Sequence, residues 1–116
     1  MNQGRTYVDY LRDIVAYADT AARILSGTSF QSFRDSEEKT LAVIRALEIV
    51  GEAARQIPEE IRKNHPDVAW AEAIAMRNKV IHGYFGVDLQ VVWNTVREDL
   101  PPLRRAVAKI LEGVGE

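Results

Sequence analysis

The chain has 116 residues, 47% of them hydrophobic and 28% charged, with two His, no Cys and a formal net charge of −2. That length and balance fit one soluble globular domain with a modest core. They exclude disulfides, thiolate chemistry and cysteine zinc sites, leave too few His for a histidine-rich metal site, and give no overall basic field, so that any nucleic-acid contact must rest on a local cluster.

No apolar run reaches the roughly 20 residues of a membrane span, and the N-terminal residues lack a signal-peptide core. A cytoplasmic protein that does not enter a membrane is the expectation. From about Thr6 to Leu25, Val8, Leu11, Ile14 with Val15, Ala18, Ala22 and Leu25 recur at three- and four-residue steps. That spacing predicts a first helix, with Thr6 and Asp9 as its N-terminal signal. The polar stretch from Gly27 to Asp35 is expected to be a break.

A second helix is predicted to start at Asp35 or Ser36, with Asp35 as N-cap and Glu38 at N3 resembling a capping box, and to run to about Gln56. Its apolar residues form three seams: Val43, Leu47, Val50, Ala54 and Ile57; Leu41, Ile44 and Gly51; Ala42, Ala46, Ile49 and Ala53. A helix apolar on most of its circumference is a central one. Burying it in so small a bundle is difficult, and a second copy packed across a two-fold axis solves the problem. Its one polar strip is Arg45, Glu48, Glu52 and Arg55. Two readings of that strip stay open. It is a solvated face with internal ion pairs, or Glu48 or Glu52 faces a cation on another helix.

Pro58 to Lys63 is predicted as a short helical turn that ends at Asn64-His65-Pro66-Asp67. His65 precedes Pro66, which biases it to extended backbone, and it reads as a surface residue rather than a ligand. A third helix is predicted from about Val68 to His82. At about 100° per residue, Trp70, Ala73, Ile74, Met76, Val80 and Ile81 share one apolar arc, and Arg77 lands near its middle. A guanidinium stays charged and needs acceptors. Either another element brings it a carboxylate or phosphate, or the arc faces a wet cleft. His82 follows at the helix end, with Gly83 as the C′ residue. Arg77 and His82 are roughly 140° apart around the axis, so they share a cleft only if the last turn frays.

Asp88 is a good N-cap for a fourth helix, with Leu89, Val92, Trp93, Val96 and Leu100 as its stripe. Pro101-Pro102 predicts a kink or new start near Leu100, followed by the stripe Leu103, Val107, Ile110 and Leu111. Arg97, Arg104, Arg105 and Lys109 make this end locally basic, as a phosphate-tracking edge or a solvated helix face. With no credible strand pair, the chain reads as an all-α bundle with short loops.

Arg77-Asn78-x-x-x-His82-x-Tyr84 resembles the signature of HEPN-domain ribonucleases. Ile49-Val50-Gly51-Glu52-Ala53, Trp70, Asp88, Trp93 and Leu100-Pro101 make the chain similar to the HepT toxin branch of that family, over roughly Glu37 to Leu103. The resemblance implies a single HEPN-like domain over residues 1–116, a four- to five-helix bundle that is homodimeric, with two Arg–His sets meeting in an interface cleft. It implies metal-independent RNA cleavage by Arg77 and His82, with no cofactor, in the toxin component of a toxin–antitoxin pair. Neutralisation by a cognate MntA-type nucleotidyltransferase, through AMPylation of Tyr84, is implied as well. Asn78, Lys79, Glu48 and Glu52 are the supporting candidates. Two other functions stay open: a non-catalytic, substrate-binding partner of a nucleotidyltransferase, or a structural dimerisation module in which Arg77 pairs with Glu48 or Glu52.

Overall fold

The computed structural model describes residues 5–81 and 88–114, and of 79–81 the backbone only. Among them every regular element is helical. Helix α1 (Tyr7–Leu25) is capped by Thr6, whose backbone N–H donates to the Asp9 carboxylate at 2.8 Å. The expected break at 27–35 contains a further short helix, α2 (Phe30–Asp35). Ser29 supplies its N-cap by accepting from the Ser32 N–H. Phe30 and Phe33, three residues apart, both turn onto Trp93, with ring centroids 5.7 Å away in each case. The polar composition of the segment hid this aromatic anchor.

Helix α3 (Glu37–Gln56) starts from Ser36, which accepts from the Lys39 N–H. Asp35, the alternative cap, is instead the last residue of α2. Helix α4 (Glu59–Asn64) follows Pro58. His65 then has φ −131° and ψ 64°, and its carbonyl accepts from the Trp70 indole at 3.0 Å. Helix α5 is Trp70–Ile81. Asp88 caps α6 (Leu89–Asn94) by accepting from the N–H groups of Gln90 and Val91.

At the Pro pair the chain does not leave helical space. A π-helical turn over Thr95–Asp99 joins α6 to α7 (Leu100–Gly113), with the Leu100 N–H donating to the Thr95 carbonyl. The α-helix therefore does start anew at Leu100, as expected, but within a continuous rod. Proline lacks an N–H, and the first turn of α7 is where none is needed. The wider π register upstream absorbs the mismatch.

The helices stack in a row. Helix α7 and the π turn lie on α1, α1 lies on α3, and α3 lies on α5, while α6 packs against α2 and α3. One contiguous core runs through them, with Leu11, Ile14, Phe33, Leu47, Val50, Met76, Leu100 and Val107 among its most buried members. Arg104 of α7 clamps Asp19 of α1 through two hydrogen bonds of 3.0 and 3.1 Å. That bond, more than charge alone, raises the Arg104 pKa above its ordinary value. One member of the predicted basic cluster is thus tied up inside the fold, while Arg97 lies over the Trp93 ring, 5.2 Å from its centroid.

As its pattern predicted, α3 is central, but one flank stays uncovered. Leu41 is 62% exposed, and Ile44 and Ile49 are only half-buried.

Candidate functional site

The site is built where α3 and α5 touch. Gly51 faces the backbone of α5 so closely that a Cβ there would stand 2.8 Å from the Arg77 nitrogen and 2.9 Å from the Arg77 Cβ. No larger residue permits that approach. Trp70, Ala73 and Met76 on α5 are buried, as their arc predicted, and Ile74 is half-buried. Arg77, in the middle of the arc, starts from the tight helix contact and extends beside α3 to its polar strip.

There its Nε lies 3.5 Å from the Glu52 carboxylate, with the two side chains 43% and 46% exposed. Both resolutions offered for the Arg therefore occur together: a carboxylate comes from another helix, and the head group stands in a wet cleft. The cleft has a volume of about 350 Å³. Arg45, Glu48 and Glu52 of α3, Arg77 of α5, and Tyr10 and Asp13 of α1 line it.

The two readings of the polar strip both hold in part. Glu48 pairs with Arg45 at 3.5 Å, within α3. Glu52 lies 4.0 Å from Arg55 and accepts from Gln56 at 3.3 Å, and also reaches across to Arg77. Such half-exposed pairs are worth about 0.2–1 kcal/mol, so the cross-helix contact does not lock Arg77. An incoming phosphate, with a bidentate fit to the guanidinium, competes well for it.

Asn78 does not share this cleft. One residue further round α5, it is exposed on a second groove, between α4 and α5. The contribution of α1 to the first cleft had no sequence signal beyond the three-residue spacing of Tyr10 and Asp13. Asp13 there pairs with Arg5, which also lies over the Tyr10 ring. His82 and Tyr84, and the side chain of Lys79, lie outside the described residues. Among the described residues no three His, Asp or Glu side chains gather as a metal-binding group, and no helix is long and apolar enough to cross a membrane.

The described residues thus form an all-helical bundle in which Arg77 of α5 faces Glu52 of α3 across an open cleft, with His82 five residues on in sequence. The family model for HepT-like ribonucleases matches residues 9–110, and the chain belongs to that family. It is 42% identical over 106 residues to a protein of Thermococcus cleftensis named as a probable ribonuclease HepT, covering 91% of this chain and 96% of the relative. Two others are provisionally named as RNases. One, from Caldanaerobacter subterraneus subsp. tengcongensis, is 38% identical over 103 residues, covering 89% of this chain and 92% of the relative. The other, from Methanocaldococcus jannaschii, is 36% identical over 107 residues, covering 92% of both chains. No solved structure matches the chain.

Proposed function

We propose that the chain is a metal-independent endoribonuclease, acting as a homodimer and as the toxin of a toxin–antitoxin pair. The observation that carries this reading is the half-exposed guanidinium of Arg77, held on an open cleft in a member of the HepT-like ribonuclease family. RNA cleavage of this kind needs three things. A base takes the proton of the 2′-OH as its oxygen bonds to phosphorus, an acid protonates the 5′-oxygen as its bond to phosphorus breaks, and a cation holds the charge on the phosphorane. Arg77 supplies the permanent charge. His82, with an imidazole pKa ordinarily near about 6.5, supplies an acid or a base, and a second copy supplies the other. Glu52 gives Arg77 a weak partner that a phosphate can displace, Glu48 stands on the same cleft, and Asn78 and Lys79 are auxiliary candidates by their place in the sequence.

Tyr84, two residues beyond His82, is the proposed acceptor of AMP from a cognate MntA-type nucleotidyltransferase. The adduct adds a phosphate and a base beside the cationic centre, which blocks RNA by bulk and by negative charge. Induced expression of wild type, His82→Ala and Tyr84→Phe, alone and with an MntA-type nucleotidyltransferase, tests the whole scheme. Wild type alone arrests growth with RNA fragments appearing, His82→Ala folds but does neither, and Tyr84→Phe stays toxic and escapes neutralisation. Folded wild-type protein that neither arrests growth nor cuts RNA sinks the nuclease reading and leaves that of a nucleotidyltransferase partner.

A further inference from the structure

The groove between α4 and α5 is larger than the cleft at Arg77, with a volume of about 640 Å³, within the range of roughly 300–1,000 Å³ typical of ligand sites. Its floor is apolar, formed by the edge of Trp70 and by Ile74 with the alanines beside them, and Glu59, Arg62 and Lys63 line it from α4, two cations against one carboxylate. Arg62 is half-buried, and its Nε is sealed from solvent with no hydrogen-bond partner. Among the described residues no carboxylate pairs with it. Among its nitrogens only the Nε is sealed and unpartnered, so an anion in the groove would meet the terminal nitrogens of the guanidinium. Among the described residues Lys63 meets only Glu59, at 3.7 Å, with both side chains about three-quarters exposed. That pairing is weak and easily displaced.

We propose that this groove is a second RNA-binding site, which takes the single-stranded segment flanking the bond to be cut. The proposal rests on the ribonuclease reading above. Three features favour RNA as the occupant. The two cations of α4 offer charge to phosphates in a chain whose net charge offers none. The apolar floor and the Arg62 guanidinium plane offer faces to unpaired bases, which a duplex hides. The groove also reaches Asn78, one step of about 100° round α5 from Arg77. From Trp70 to Asn78 the α5 axis runs about 12 Å, room for about two to four phosphates of a strand. A strand lying here has to cross the last turn of α5 to bring its next phosphodiester to Arg77 in the neighbouring cleft.

The test is fluorescence anisotropy of the whole chain with a 12-nucleotide single strand of 2′-O-methyl RNA, which lacks the attacking hydroxyl. It is run at several salt concentrations beside a cleavage assay with ordinary RNA. Arg62→Ala/Lys63→Ala is expected to bind about tenfold more weakly, and its salt slope to fall by about 1.4, some 0.7 for each phosphate no longer neutralised. Lys63→Glu, at an exposed position that leaves the fold intact, is expected to weaken binding several-fold, and Glu59→Gln to tighten it. Unchanged affinity and slope in Arg62→Ala/Lys63→Ala and in Lys63→Glu, with melting curves like wild type, overturns the proposal even if wild type cuts RNA. An equal loss on a 12-base-pair duplex overturns its single-strand part. Absent cleavage by wild type is a separate failure, that of the ribonuclease reading, and the binding data still decide the groove.

Discussion

Arg77 and Glu52 face each other at 3.5 Å with nearly half of each side chain in solvent. Solvent at that level screens the pair, and its contribution to stability is below about 1 kcal/mol. A charge placed in an apolar arc for so little stability has its use elsewhere. Arg77→Leu is therefore expected to shift the melting temperature by only a few degrees in either direction, while RNA cleavage falls to background. Thermal melting and a cleavage assay on the same sample check both halves. A large loss of stability, with cleavage surviving in the folded fraction, would return Arg77 to a purely structural role. Asn78 shows the limit of reading neighbours in sequence as neighbours in a site. A step of about 100° on a helix moves it out of the Arg77 cleft and into the groove beside α4.

Between elements, the meeting that matters is α3 against α5. Gly51 lets the two backbones approach, and the atoms a Cβ would strike belong to the Arg77 main chain and its Cβ, which no rotamer change can move aside. Gly51→Ala gains about 1 kcal/mol of helix propensity. It loses about 1–3 kcal/mol to overpacking, so steric conflict wins. The expected result is a net destabilisation on the order of 1 kcal/mol in chemical denaturation, together with a loss of cleavage larger than the stability change explains, because α5 must move away from Glu52. Stability equal to or above wild type would show that the helices separate freely there. The cap of α6 was legible from Asp88; at α3 the start was legible to within a residue, but the cap is Ser36 and not Asp35, which α2 takes as its last residue. The short α2 was not legible, because its order comes from Phe30 and Phe33 meeting Trp93 some sixty residues away.

For the whole molecule, the uncovered flank of α3 is the telling surface. Leu41, Arg45, Glu48 and Glu52 follow one another at steps of three and four residues, so one stripe leads from an exposed apolar residue to the Arg77 cleft. A second copy packed over this stripe would cover Leu41 and bring two clefts together. In the proposed homodimer Leu41→Asp is expected to shift the mass measured by light scattering towards the monomer, with little change in the fold by circular dichroism and a loss of cleavage. A wild type that is monomeric at tens of micromolar, or a variant that stays dimeric, would place the interface elsewhere or remove it.

Local spacing carried a large share of this protein. Period-3.6 apolar positions marked the four long helical stretches, Thr6 and Asp88 set the starts of two of them, and the ordered residues around Arg77, His82 and Tyr84 pointed to the family, because each of these is written within a few turns of chain. Other features were decided by distant residues. They include the row order of the helices, the partner of Arg77, the wall of the cleft supplied by Tyr10 and Asp13, the removal of Arg104 by Asp19, and the separation of Arg77 from Asn78 into two grooves. A helical wheel says which way a side chain leaves its own axis. What it meets there depends on how closely neighbouring backbones approach, and here a single missing Cβ at Gly51 settles that.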